Sequence, residues 1–209
     1  MTAGTVRVLL FDPTCLRARG KPGLSKFWHA GSALYGPMLR RVDAIRAATS
    51  WAEALAWLAR VRPNEPIDEI QYWGHAKWGQ VFIDDDALTA GATARDDRHY
   101  DALRAVAQRM RGPESLVWFR SCELFGADTG HDFARRFSDF FRCRVASHTR
   151  VIGFWQSGLH SIAPGEAPSW SASEGLAEGT PSHPVRATGS RPWLPNTIQC
   201  LQGTIPRGW

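Results

Sequence analysis

Three runs of apolar, β-branched and aromatic residues, VRVLLF at 6–11, IDEIQYW at 67–73 and SLVWFRS at 115–121, are separated by stretches of helical periodicity. That alternation constrains the chain more than any other feature, because buried strands joined by helical crossovers form a mostly parallel sheet covered on both sides. Each run is closed by turn chemistry: Asp12-Pro13, Gly74-His75 and Arg120-Ser121-Cys122. Between them, SWAEALAWLARV carries Ser50 and Glu53 at capping-box spacing and Trp51, Leu55 and Leu58 at helical intervals, with Pro63 as the stop. Further helices are expected over about 38–47, 100–110 and 131–141, the last with Phe133, Phe137, Phe140 and Phe141 on an apolar face. Short strands are expected at GQVFID (79–84) and CRVAS (143–147).

The expectation is therefore an α/β domain over residues 1–163. At 209 residues, 44% hydrophobic and 22% charged, the chain is long enough to bury a real core. After Pro164 periodicity gives way to Pro, Gly, Ser and Trp, so 164–209 reads as an irregular C-terminal extension. It is packed on the domain or ordered by a protein partner, with Trp170, Trp193 and Trp209 as anchors.

Composition narrows the partners. A net charge of +5 and a pI near 9.4 permit weak attraction to polyanions, yet the basic residues are scattered without a dense run, which argues against nucleic acid. No stretch approaches the roughly 18 apolar residues of a membrane span, and the N-terminal residues lack the length and cleavage site of a signal peptide. Cys15, Cys122, Cys143 and Cys200 are widely separated with no CxxC pair. Reduced thiols and a cytoplasmic location are expected.

In a parallel α/β sheet, reactive groups gather beyond the carboxyl ends of the strands. Two strands deliver such groups there: IQYWGH supplies His75 and VWFRSC supplies Cys122. A thiol is a weak nucleophile at neutral pH until a base or a positive charge assists it, and an imidazole serves as that base and then as the acid for the leaving amine. Read alone, each residue has a bland alternative, Cys122 as an inert core thiol and His75 as a turn ligand. Together, at strand ends with a crossover between them, they read as a catalytic pair.

The order strand-Gly-His, short hairpin, helix and strand-Arg-Ser-Cys resembles the caspase-haemoglobinase (clan CD) cysteine peptidases. It is most similar to the bacterial caspase-like domains of unknown function found in large surface proteins. The matching positions are His75-Ala76-Lys77-Trp78-Gly79, Phe119-Arg120-Ser121-Cys122, Gly130, Phe133, Val145-Ala146-Ser147-His148, Gly153 and Trp155, within residues 67–160. His75 and Cys122 stand 47 positions apart, close to the about 50 at which caspases hold theirs. The resemblance implies a three-layer α-β-α sandwich and a cysteine endopeptidase acting on protein or peptide substrates. The dyad would be Cys122 and His75, the oxyanion hole the backbone N–H groups of Ala76 and Cys122, and no cofactor is needed. Ala76 stands where the family usually has Gly, a departure that matters if the position requires positive φ.

Arg120, by the same resemblance, stands in a substrate-pocket position, where its guanidinium would favour an acidic side chain. The other reading is that it ties down a loop. Ser121, His148 and Trp155 are further candidates for lining a substrate cleft. His131 beside Asp128 and Asp132 hints at a metal, but carboxylates at a helix start are better explained by the helix dipole. Competing with the peptidase is a catalytically impaired adaptor of the same fold that binds a protein partner through the C-terminal region, a region equally placed for self-processing. A carbohydrate- or nucleic-acid-binding module using exposed Trp is the third reading.

Overall fold

The computed structural model describes residues 4–15, 17, 18, 21–206, 208 and 209, so Met1–Ala3 of the expected domain lie outside the described residues. In chain order, β1 (Val6–Phe11) leads through a two-residue ladder, β2 (Arg17–Ala18) and β3 (Lys21–Pro22), to helix α1 (Ser25–Ala33). Then come β4 (Ala44–Ala47), α2 (Trp51–Leu58), β5 (Ile67–Trp73), β6 (His75–Lys77), β7 (Gln80–Ile83), β8 (Asp86–Thr89), α3 (Tyr100–Ala107) and β9 (Leu116–Arg120). Helix α4 (Ala127–Phe141), β10 (Arg144–His148), β11 (Trp155–Gln156), β12 (Leu159–Ile162), β13 (Leu176–Thr180), β14 (His183–Ala187) and β15 (Ile198–Gln199) complete it.

Six strands form one mixed sheet in the order β12-β10-β9-β5-β1-β4, parallel throughout except for the antiparallel pairing of β12 with β10. The α/β class and the mostly parallel sheet follow from the chain's alternating pattern. One face packs Val8 and Leu10, Ile70 and Tyr72, Val117 and Phe119 against α2, α3 and α4. Phe133, Phe137 and Phe141 fall on one side of α4, the first two stacked with centroids 3.9 Å apart. Each such buried ring contributes about 1.5–3 kcal/mol.

The opposite face is covered differently. Leu9, Phe11 and Trp73 meet Trp28 of α1 and Tyr35, while Trp118 and Ala146 meet Ile198, Ile205 and Trp209 of the C-terminal segment. The extension is therefore not wholly irregular: β13 and β14 form a hairpin and β15 pairs with β11. Trp170 stacks on Phe125 at 5.3 Å and its Nε1–H donates to the Phe125 carbonyl, so it anchors the segment as expected. Trp193 does not, being 72% exposed with the Arg191 guanidinium over its ring.

The region expected to form a helix over 38–47 does not form one. Leu34–Met38 extends α1 by a single wide π turn, and Ala44–Ala47 becomes an edge strand beside β1. Both residues of the AIRA segment that are not exposed are only half-buried, so no strand alternation is visible in it; the free edge of β1 decides the outcome. Helix α1 was not expected because its only buried residues are Ser25 and Ser32 and it has no side-chain cap, leaving no apolar stripe to read. The α2 start carries a shifted capping box: Ser50 accepts from the Glu53 N–H, but the Glu53 carboxylate reaches Thr49 rather than Ser50.

Candidate functional site

The site grows out of one row of the sheet. Phe11 of β1, Trp73 of β5 and Arg120 of β9 are successive parallel partners at the carboxyl edge. One residue past Phe11 comes Asp12, and two residues past Trp73 and Arg120 come His75 and Cys122. Because β5 and β9 are adjacent parallel strands in register up to Trp73 and Arg120, the segments that carry the imidazole and the thiol leave the sheet from neighbouring positions. Both line a single cavity of about 500 Å³, within the usual range of ligand pockets, together with Trp28, Trp73, Arg120 and Ile152.

Local packing turns each strand end into a fixed mount. At Gly74 a Cβ would collide with the phenol of Tyr72, whose hydroxyl donates to the Phe82 carbonyl, so only glycine lets the chain bend into β6. His75 then packs edge-on against Trp28, ring centroids 5.1 Å apart. The hairpin that carries it closes onto the loop that carries Cys122: the Trp78 N–H donates to the Glu123 carbonyl at 3.2 Å and the Gly79 N–H to the Leu124 carbonyl at 2.9 Å. Both Trp78 (φ 37°) and Glu123 (φ 46°) are in the left-handed region, a conformation that costs non-glycine residues about 1–3 kcal/mol and that clusters at functional sites. Ala76 is not among the residues with positive φ, so its backbone accommodates the side chain where the resembled family has glycine.

Electrostatics set the resting protonation. Burial lowers the pKa of His75, with the Asp12 charge opposing it, so the imidazole is neutral at pH 7. Burial also raises that of Cys122, opposed by the Ile152 N–H, which donates to Sγ at 3.4 Å, and reinforced by the nearby Glu123 charge. The pair rests as neutral thiol and neutral base, not as a thiolate–imidazolium ion pair. Asp12 is the member that sequence reasoning overlooked: it is 1% exposed, and its Oδ1 accepts from both the N–H and the hydroxyl of Thr14. Its signal was present, a carboxylate at the carboxyl end of the first strand, but it read as a turn residue.

Arg120 lies on the cavity wall at 4% exposure, and all five of its N–H donors are used within the protein. Nε (3.2 Å) and Nη2 (2.8 Å) donate to Gln156 Oε1, Nη2 also to the Cys200 carbonyl (2.8 Å), and Nη1 to Tyr35 Oη (2.6 Å) and the Gln202 carbonyl (3.1 Å). The guanidinium also lies 4.5 Å from the Trp118 ring centroid. It ties the C-terminal segment to the sheet, and a substrate carboxylate would have to displace one of these acceptors.

Ser121, His148 and Trp155 are not on the cavity wall. Ser121 is 1% exposed with an unpartnered hydroxyl, and Trp155 is engaged in the ladder with Gln199. His148 is fully buried, its Nδ1 beside the Ser157 carbonyl at 3.2 Å and its pKa pushed down to about 3 by burial and the Arg120 charge. A sealed imidazole offers substrate nothing, so the pocket-lining expectation for His148 is corrected. Among the described residues no group of three or more His, Cys, Asp and Glu side chains is placed to hold a metal, and Asp132 instead pairs with Arg135 and Arg136. All four cysteines are free, and no helix among the described residues is long and apolar enough to cross a membrane.

No protein-family model matches the chain, and no curated protein matches it.

Proposed function

We propose that the protein is a cysteine endopeptidase of caspase-like type, with Cys122 as nucleophile and His75 as general base and acid. The observation that carries this reading is the shared cavity in which adjacent strands β5 and β9 present the two side chains. A sheet with helices α2, α3 and α4 on one face and α1 on the other fits the three-layer caspase-like sandwich.

In this mechanism Sγ bonds to the scissile carbonyl carbon while its proton passes to neutral His75. The oxygen takes up negative charge opposite the backbone N–H groups of Ala76 and Cys122. Collapse breaks the C–N bond, and the imidazolium returns its proton to the departing amine. Water then attacks the thioester with His75 again as base, the C–S bond breaks, the carboxylic acid is released, and the imidazolium returns its proton to sulfur to regenerate the thiol. A depressed imidazole pKa suits this scheme, since the base is available at neutral pH. The test is peptide cleavage by Cys122→Ala and His75→Ala variants. Each loses activity by about 10³-fold or more while its melting temperature stays within a few degrees of wild type. Full activity in Cys122→Ala contradicts the mechanism.

One observation favours a second reading, that of a catalytically impaired adaptor: the thiol's pKa is raised, not lowered. Alkylation by a small haloacetamide separates the two. A sulfur assisted by His75 is alkylated at pH 7 several-fold faster than in His75→Ala, whereas an inert buried thiol reacts equally slowly in both.

A further inference from the structure

The walls of the cavity beside Cys122 carry more information than its two reactive groups. Among the described residues nine large hydrophobic side chains are exposed, and four of them, Leu24 (41%), Phe27 (67%), Phe154 (57%) and Leu201 (45%), ring this one mouth. Inside, Trp28, Trp73 and Ile152 continue the apolar surface down to His75 and Cys122. The polar side chains on the wall are largely spoken for. All five Arg120 donors are bonded, two of them to Gln156 Oε1. Exposed apolar clusters of this kind mark places where something apolar binds, and a pocket whose charges are internally satisfied gives a charged ligand nothing in return for its lost hydration.

We infer that this cavity selects peptide substrates by a large apolar side chain, aromatic or long aliphatic, next to the scissile bond. The inference rests on the peptidase reading and replaces the acidic preference that Arg120 implied from sequence. A polypeptide side chain is favoured over a free acyl chain because the apolar rim lies around the same opening that exposes the thiol and the imidazole. The occupant thus enters beside the reacting carbonyl and stays tethered to it. Phe27 and Phe154 flank that mouth from α1 and from the loop before β11, and they are the specificity-determining side chains.

The experiment uses two arms on the full chain. In the first, wild-type protein is given peptides that differ only in the residue before the cut. Phe and Leu are cleaved with kcat/KM at least about 10-fold above Asp, Glu and Lys, and Phe27→Ser or Phe154→Ser raises KM for the Phe peptide about 10-fold with kcat held. In the second, the Cys122→Ala protein is titrated with the same peptides by calorimetry, and the Phe peptide binds at least about 10-fold tighter than the Asp peptide. Equal binding, or tighter binding of the acidic peptide, overturns the inference, as does tighter binding of octanoate than of the Phe peptide by the Cys122→Ala protein. Selective binding without cleavage by the wild type keeps the pocket assignment and removes the peptidase reading.

Discussion

The backbone N–H of Trp78 donates to the carbonyl of Glu123 at 3.2 Å, and both residues stand in the left-handed region. Trp78 lies three positions past His75 and Glu123 one position past Cys122, so this bond locks the histidine hairpin to the cysteine loop just outside the cavity. The Gly79 N–H, bonded to the Leu124 carbonyl, makes the clamp double. Two groups remote in sequence are thereby held by backbone, not by side-chain contact.

Substituting Gly79 breaks that clamp. Its φ is +75° and a Cβ there would collide with the Thr129 carbonyl, so Gly79→Ala costs about 2–3 kcal/mol, read as a lower urea midpoint with unchanged slope. Activity falls further than stability, because the same change displaces β6. An unchanged midpoint contradicts the clamp.

Asp12 acts on His75 through charge. The carboxylate raises the imidazole pKa against the lowering effect of burial, so removing the charge in Asp12→Asn lowers it further. The acid limb of the kcat/KM profile, which reports the base losing its proton, moves to lower pH in the variant. A limb that stays in place, or moves up, shows that the two groups are uncoupled.

Arg120 holds the last turn of the chain. Arg120→Met leaves the Gln156 and Cys200 oxygens without their guanidinium donor and the Gln202 carbonyl with only the Tyr35 hydroxyl, at a cost of about 3 kcal/mol or more. Limited proteolysis reads the local effect: new cleavage appears between about 195 and 206 before the rest of the chain is cut. Identical digestion patterns contradict the tether.

Much of this was legible in the chain and some was not. The strands IDEIQYW and LVWFR, the capped helix at Ser50 and the phenylalanine face of α4 announce themselves because burial on a regular element leaves a period. Helix α1 and strand β4 leave none, since one buries only two serines and the other is a half-exposed edge. That His75 and Cys122 line one cavity was readable from strand ends. The satisfied state of Arg120 was not, because its acceptors come from residues 35, 156, 200 and 202, which only the fold brings together. His148 misled for the opposite reason: a strand-end position at the right edge says nothing of the Ser157 segment that closes over it.

Buried His148 makes stability pH-dependent. Its pKa is about 3 in the fold against 6.5 for a free imidazole, so between those values the unfolded chain binds the extra proton. The sign follows: this contribution is absent above pH 6.5 and destabilises increasingly as pH falls toward 3, by up to about 1.4 kcal/mol per pH unit. Urea unfolding at a series of pH values detects the slope, and His148→Gln flattens it. An equally steep slope in the variant assigns the effect elsewhere.

The most direct measurement is acid-quenched mass spectrometry of the full chain mixed with a cleavable peptide ester. A transient mass increase equal to the acyl half of the peptide, mapped to Cys122 and formed at least about 10-fold more slowly in His75→Ala, is the predicted result. Turnover with no adduct on Cys122, or an adduct whose formation ignores His75, contradicts the account.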